Sequence, residues 1–429
     1  MLTGRRSIGA KPQRVVVGLL GLGLTILVGA SVVWSEPGEQ EEQCQSSYQG
    51  RTVDSKTLLT ILNAHKRWLT NRQDPEGKKA NLCGADLQEV DFREVDLSGA
   101  NLSGAKMIHA DLSGGIFVKA NFQGANLRDA SLSLSDLREA NFSSANLNGG
   151  DLRKSDLARA NFYRASVRGA NLAEAYLVLV NLREADIDDG YLLGANLDGA
   201  NLTQASMRSA DLQGVSLHRA ILTKANMGQA DLFRADLQEA DVQGANLDQA
   251  DLHGANFNEA NLRDASLRGA NMERGIFYRA NLHHADLTGA NLQEADFLLA
   301  DLSQAHLRKA ELDEAYMAKA ILREADLQEA DFSWANMVDT DLRSANLSRA
   351  VLFNTNLQDA NLQEAKLHGA DMRGADIQNA KFTGTNLRST SLEFVLGLTQ
   401  EQLNEACVDE KTDLPKGMTR PKPCQGKKN

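Results

Sequence analysis

What the chain lacks narrows its role before any pattern is sought. It has no basic surplus: 46 Lys+Arg against 57 Asp+Glu leave a formal charge of −11. That excludes a general nucleic-acid binder, which needs a basic footprint. Aromatics make up only 5% and prolines number six, so the 42% apolar content is mostly Ala and Leu. Such a fraction is too high for a disordered chain. Cysteine is absent from the middle of the sequence. Cys44, Cys83, Cys407 and Cys424 lie toward its ends. Cys44–Cys83 and Cys407–Cys424 are candidate end staples among the three pairings that four cysteines allow, with four free thiols as the cytosolic alternative. No glycine-rich phosphate loop is present, and no Ser or Cys nucleophile stands with a recognisable base. His283 and His284 are adjacent but expected to diverge, and no cysteine or paired carboxylate sits at metal-site spacing. The sequence therefore reads as a non-enzyme with no catalytic, metal or cofactor-binding residues.

What is present begins with a distinct N-terminus. Arg5, Arg6, Lys11 and Arg14 form a basic tail over residues 1–14, followed by an uncharged run over residues 15–34. As a helix that run spans ~30 Å, enough to cross the hydrocarbon core of a bilayer. The basic flank is expected to stay cytoplasmic, with Glu36, Glu39, Glu41 and Glu42 on the far side. A cleaved signal peptide is the alternative, since Val28-Gly29-Ala30 offers small residues for cleavage. Either way the body lies outside the cytoplasm, in a compartment where disulfides persist. Residues 35–53 read as a linker.

From Leu82 to Leu392 every fifth residue is apolar, which makes 63 pentapeptides in one register. Two positions earlier the residue is always small or short, and one position earlier it is Asn or Asp in 44 of the 63. A five-residue period belongs neither to a helix nor to a flat strand, but to a solenoid of short sides and tight corners. Phe122, Phe142 and Phe162 are 20 apart, as are Phe257, Phe277 and Phe297. That spacing predicts four pentapeptides per coil and an all-β, four-sided solenoid over residues 81–392, roughly 75 Å long at one backbone layer per coil. The central residue and the small one are expected inside, Asn and Asp at the corners. The phrase Gly275-Ile276-Phe277-Tyr278 and its counterpart Gly115-Ile116-Phe117-Val118 lie 160 residues apart, eight such coils. Both keep the inward Phe and place Ile outward.

The pattern resembles the pentapeptide repeat family, whose members form a right-handed quadrilateral β-helix. The resemblance implies that architecture for residues 81–392. The helix-spaced Leu58, Leu59, Ile61, Leu62, His65, Trp68 and Leu69, behind Asp54 as a cap, look like the family's N-terminal cap over residues 54–80. Residues 393–429, with Thr399 and Gln402 spaced as a capping box, look like its C-terminal cap and tail. His65 is read as a packing residue.

Residues 81–392 hold 29 Lys+Arg and 44 Asp+Glu. Some family members resemble a DNA duplex and bind or protect DNA gyrase, so an acidic DNA-mimic rod is the alternative function. Half of the acids, however, occupy the expected corner position before the central residue, where the turn explains them. The favoured expectation is a membrane-tethered or exported scaffold with an unidentified protein or envelope partner, self-association included. Folded at 20 residues per coil, Tyr176, Val178, Leu179, Ile276, Tyr278, Leu298, Leu299, Tyr316 and Val338 fall on one side and form the candidate partner surface. Tyr191, Leu193, Phe233, Trp334, Val351 and Phe353 fall on the adjacent side.

Overall fold

A small or short side chain two positions before each inward residue, most often Ala, lets the backbone wind tightly about a narrow interior. The computed structural model describes residue 44 and residues 46–421. In it, the residue preceding each central side chain bridges in parallel to the residue 20 positions on, as Asn81 does to Asn101, Asp86 to Lys106, Asp91 to Asp111 and Asp96 to Ile116. Twenty residues therefore complete one four-sided coil. Side 1 carries bridging residues 81 through 381, side 2 residues 86 through 386, side 3 residues 91 through 391, and side 4 residues 96 through 396, each in steps of 20.

The interior is filled as the residue sizes dictate. Every central residue from Leu82 to Leu392 is at most 4% exposed. Phe122, Phe142 and Phe162 stack at successive centroid distances of 4.7 and 4.7 Å, and Phe257, Phe277 and Phe297 at 5.1 and 4.7 Å. Where Ser or Thr replaces the small Ala, its hydroxyl donates to a backbone carbonyl, as Thr355 does to Phe332 at 2.8 Å and Thr385 to Leu362 at 2.7 Å. No buried hydroxyl there is left unpaired, which would cost free energy.

The backbone donors of one pentapeptide can be followed completely. Leu82 N–H donates to Asn101 O in the next coil (2.7 Å), and Asn101 N–H to Ala80 O in the coil before (2.9 Å). Gly84 N–H reaches Ser103 O (2.7 Å), and Ala85 N–H closes a turn onto Leu82 O (3.1 Å). One donor remains, the N–H following the central residue. The Asn or Asp two residues earlier takes it: all 44 of them accept this N–H through Oδ1. This corrects the expected placement of Asn and Asp at the corners. They sit on the flat, bridged sides and reach over to satisfy the corner. The corner itself is the following pair of residues, whose second member has positive φ throughout: 46 non-glycine residues and 17 glycines from Gly84 to Phe394. Positive φ at the third residue of a turn closed by a 4→1 bond is the type II pattern. None of the 46 is Val, Ile, Thr or Pro, residues that this conformation excludes.

The ends are closed by local structure. Asp54 caps helix α1 (Ser55–Thr70), its carboxylate accepting from the N–H groups of Lys56 and Thr57 at 3.0 Å each. Leu58, Ile61 and Leu62 pack on the core, and His65 is fully buried. Ahead of α1, the expected linker over residues 35–53 is shorter than the composition suggested. Thr52 bridges to Asp86, Gly50 N–H donates to Gly84 O, and Cys44 is disulfide-bonded to Cys83, with Cα atoms 5.7 Å apart. At the other end Thr399 and Gln402 form the capping box of α2 (Gln400–Glu405). Gln402 also donates to Ala380 O (2.9 Å) and Ile377 O (3.2 Å), which no further coil covers. Cys407 and Asp413 extend the ladder on sides 2 and 3 through Asn386 and Ser391. Cys407 is disulfide-bonded; Cys424, its expected partner, lies outside the described residues. So do the basic tail and the expected membrane or signal segment over residues 15–34. No helix among the described residues is long and apolar enough to cross a membrane.

Candidate functional site

Side 4 owes its character to substitutions at the bridging position. Ile116, Tyr176, Ile276 and Tyr316 stand where Asn or Asp would accept the corner N–H, and each is exposed, between 38% and 47%. Ile276 bridges to Asp296, Asp296 to Tyr316, and Tyr316 to Asn336, so these residues lie on successive coils. Tyr278, Leu298, Leu299 and Val338 occupy the following corner on three of those four coils, and Ala318 and Lys319 hold it on the fourth. Leu299 is 39% exposed, while Tyr278, Leu298 and Val338 are half-buried. The Arg279 guanidinium lies 5.0 Å from the Tyr278 ring centroid, close enough for a cation–π contact.

The structure therefore brings six of the nine candidate residues together and sets three apart. Tyr176, Val178 and Leu179 share side 4 but lie five coils away from Ile276, roughly 24 Å at one backbone layer per coil. Asn196, Ser216, Asp236 and Asn256 hold the intervening bridging positions. Leu179 is only half-exposed, because its side chain leans along the corner over Gly199, where a Cβ would meet Leu179 Cδ2 at 2.8 Å.

On side 3 the Trp334 ring meets Phe353 edge-on at 5.8 Å, and Arg373 lies 5.9 Å from the Phe353 centroid. Phe233 stacks on His253 at 5.5 Å. Three exposed apolar residues escaped the sequence reading: Leu134 (67%), Phe394 (72%) and Leu396 (57%). Leu134 and Phe394 hold the positive-φ corner position. Their place as the second residue after the central one was the available signal.

The acids are largely committed to the wall. Arg93 donates to Asp91 through Nε (2.9 Å) and Nη2 (2.6 Å), and those bonds draw the Asp91 carboxyl down to about 2. Burial pushes Asp341 upward, but hydrogen bonds from Arg343 and Arg323 outweigh it and set it at about 2. Corner residues 20 apart pair along the axis, as Arg164–Glu184 and Arg219–Glu239 do at 2.7 Å and Arg274–Glu294 at 2.8 Å. The His283 and His284 rings stack at 4.3 Å instead of diverging, since the two residues share one tight corner. His284 joins a corner column with Asp264 (3.7 Å) and Gln304. Among the described residues no group of three or more His, Cys, Asp or Glu side chains could hold a metal ion.

With this geometry in place, comparison decides the lineage. The family model for pentapeptide repeats matches successive segments from residue 78 to residue 393. The chain belongs to the pentapeptide repeat family. Among solved pentapeptide repeat structures, a protein involved in heterocyst differentiation regulation from the cyanobacterium Nostoc sp. strain PCC 7120 is 26% identical, over 78% of this chain and 96% of that one, with a TM-score of 0.24. QnrB1, a plasmid-mediated fluoroquinolone resistance protein, is 18% identical over 41% of this chain and 91% of its own, with a TM-score of 0.33. A thylakoid-lumen pentapeptide repeat protein from Arabidopsis thaliana is 30% identical over 27% of this chain and 67% of its own, with a TM-score of 0.19. No curated protein matches the chain significantly. As in other solenoids, each coil of this pentapeptide repeat protein contacts only its neighbours, so its long sides are free for binding.

Proposed function

We propose that the chain is a non-catalytic pentapeptide-repeat scaffold, tethered through residues 15–34 or exported, that binds a protein or envelope partner outside the cytoplasm. The supporting observation is the replacement of Asn or Asp by exposed Ile276 and Tyr316 on bridged coils of side 4, beside Leu298 and Leu299. The test is crosslinking followed by pull-down from intact membranes, with Tyr278, Leu298, Leu299 and Tyr316 changed together to Ser. The reading expects a crosslinked species, partner or second copy, that disappears in the variant while unfolding is unchanged. An identical crosslinking pattern overturns it.

The alternative is an acidic DNA mimic that binds a topoisomerase such as DNA gyrase. The commitment of all 21 bridging aspartates to corner N–H groups counts against it, since the acidity then serves the wall. A reporter fused after residue 50 separates the two: activity only in the cytoplasm reverses the ranking.

A further inference from the structure

The charge of the N-terminal cap is opposite to that of the body it closes. Between Cys44 and Ala80 there are seven Lys+Arg and three Asp+Glu, whereas residues 81–392 hold 29 and 44. Helix α1 contains no acidic residue at all. Its inner face packs on the first coils through Leu58, Ile61, Leu62 and His65. Its outer face presents Lys56, Leu59, Asn63, Lys66, Arg67 and Thr70, all exposed, with Leu59 at 59%. The last four, with Asn71 and Asp74, line a shallow recess of about 420 Å³. Among the described residues, Arg67 is the one of these basic groups with an acidic partner, Glu76. Lys and Arg on the solvent face, with an exposed Leu between them, make a basic patch of the kind that anionic headgroups attract.

Chain length points to the same occupant. Nine residues, 35–43, separate the uncharged run from Cys44, and fully extended they reach only about 30 Å. The Cys44–Cys83 disulfide fixes the end of that reach to the first coil. A chain tethered through residues 15–34 therefore keeps its cap within reach of the bilayer, and past the four glutamates of residues 35–43 the cap offers that surface the first basic charge.

We propose that the outer face of α1 docks on anionic phospholipid headgroups through Lys56, Lys66 and Arg67, with Leu59 entering the interface. This rests on the tethered reading given above. Lys56 and Lys66, the two basic groups without an acidic partner among the described residues, at roughly fivefold each predict roughly 25-fold slower amide exchange of α1 on an anionic bilayer at low salt. The full chain is reconstituted in vesicles of phosphatidylcholine alone or of equal parts phosphatidylcholine and phosphatidylglycerol. Hydrogen exchange of residues 55–70 is then compared. Slower exchange only on the anionic vesicles, abolished by salt and by K56Q/K66Q or L59S, supports the proposal. K56Q/K66Q leaves the Arg67–Glu76 pair and the buried face intact, so folding is not at stake. Equal exchange on both vesicles overturns it, as does slowing that the variants retain. Flotation reads the tether separately: a chain that floats only with the anionic vesicles lacks an anchor yet keeps the helix surface.

Discussion

A methyl group added at Gly275 tests the packing of the interior. A Cβ there would lie 2.8 Å from Phe277 Cε2 and 3.0 Å from Met272 O. The ring cannot retreat along the axis, because Phe257 and Phe297 stack on it at 5.1 and 4.7 Å. Overpacking of this kind costs about 1–3 kcal/mol, so G275A is expected to lose that much. F277L removes two ring contacts at about 0.5–1.5 kcal/mol each, and so loses a similar amount by itself. In G275A/F277L the clash is gone, so the double variant should be more stable than the sum of its parts by about 1–2 kcal/mol. The control is A295G/F297L, where Phe297 already follows an alanine and no such relief is expected. Urea midpoints at constant slope give the energies, and hydrogen exchange of residues 257–297 localises them. Additive effects in the 275/277 pair would refute the claim that glycine makes room for the ring.

Three further outcomes test the wall and the cap. Ser209 sits at a corner with φ of 54°; S209V should cost about 1–3 kcal/mol in thermal unfolding and S209G almost nothing. Asp156 accepts the Ala158 N–H at 3.1 Å, so D156A should lose about 0.5–1.5 kcal/mol while D156N, which keeps the acceptor, stays near wild type. Burial holds the His65 imidazole below its ordinary value of 6.5, and its Nδ1 accepts the Ala80 N–H at 3.0 Å. The unfolded chain takes up a proton below pH 6.5 that the folded cap resists. This contribution is therefore complete above that pH and lost as the pH falls through the depressed folded value. Fluorescence of Trp68, which stacks on His65 at 5.3 Å, should report the cap loosening in acid, and H65F should remove the histidine's share of the pH dependence.

The coil was legible because its determinants repeat. Interior size is set by one residue type every five, and the Phe spacing of 20 exposes the coil length directly. Both helix caps were legible too, since Asp54, Thr399 and Gln402 carry a local hydrogen-bonding instruction. The corner was misplaced because Asn and Asp favour turns by more than one route. Here the side chain serves a turn that it does not occupy, as Asp156 does for Ala158. The better signal lay two residues after the central one, in the absence of Val, Ile, Thr and Pro. The linker was overestimated because Thr52 and Gly50 join the wall through backbone groups, which composition does not encode. The split of the candidate surface follows from the coil length, since residues 176 and 276 share a side but stand five coils apart.

The exposed apolar residues on side 4 differ in kind from ordinary surface scatter. A Leu at a solvent-facing corner, such as Leu299, displaces nothing that the wall requires. An Ile or Tyr at the bridging position does, because it removes the acceptor for the next N–H. Tyr278 N–H has no Asn or Asp to receive it, whereas Leu298 N–H donates to Asp296 at 2.9 Å and Val338 N–H to Asn336 at 3.2 Å. Each such site forgoes a hydrogen bond of about 1 kcal/mol. Four of the eight Ile, Val or Tyr bridging residues, Ile116, Tyr176, Ile276 and Tyr316, lie on side 4. Side 4 thus gives up wall hydrogen bonds at the same positions where it gains apolar surface. I276N should consequently stabilise the isolated chain by about 1 kcal/mol while weakening whatever side 4 holds. A variant that weakens binding without gaining stability would show that Ile276 is not in competition with the wall.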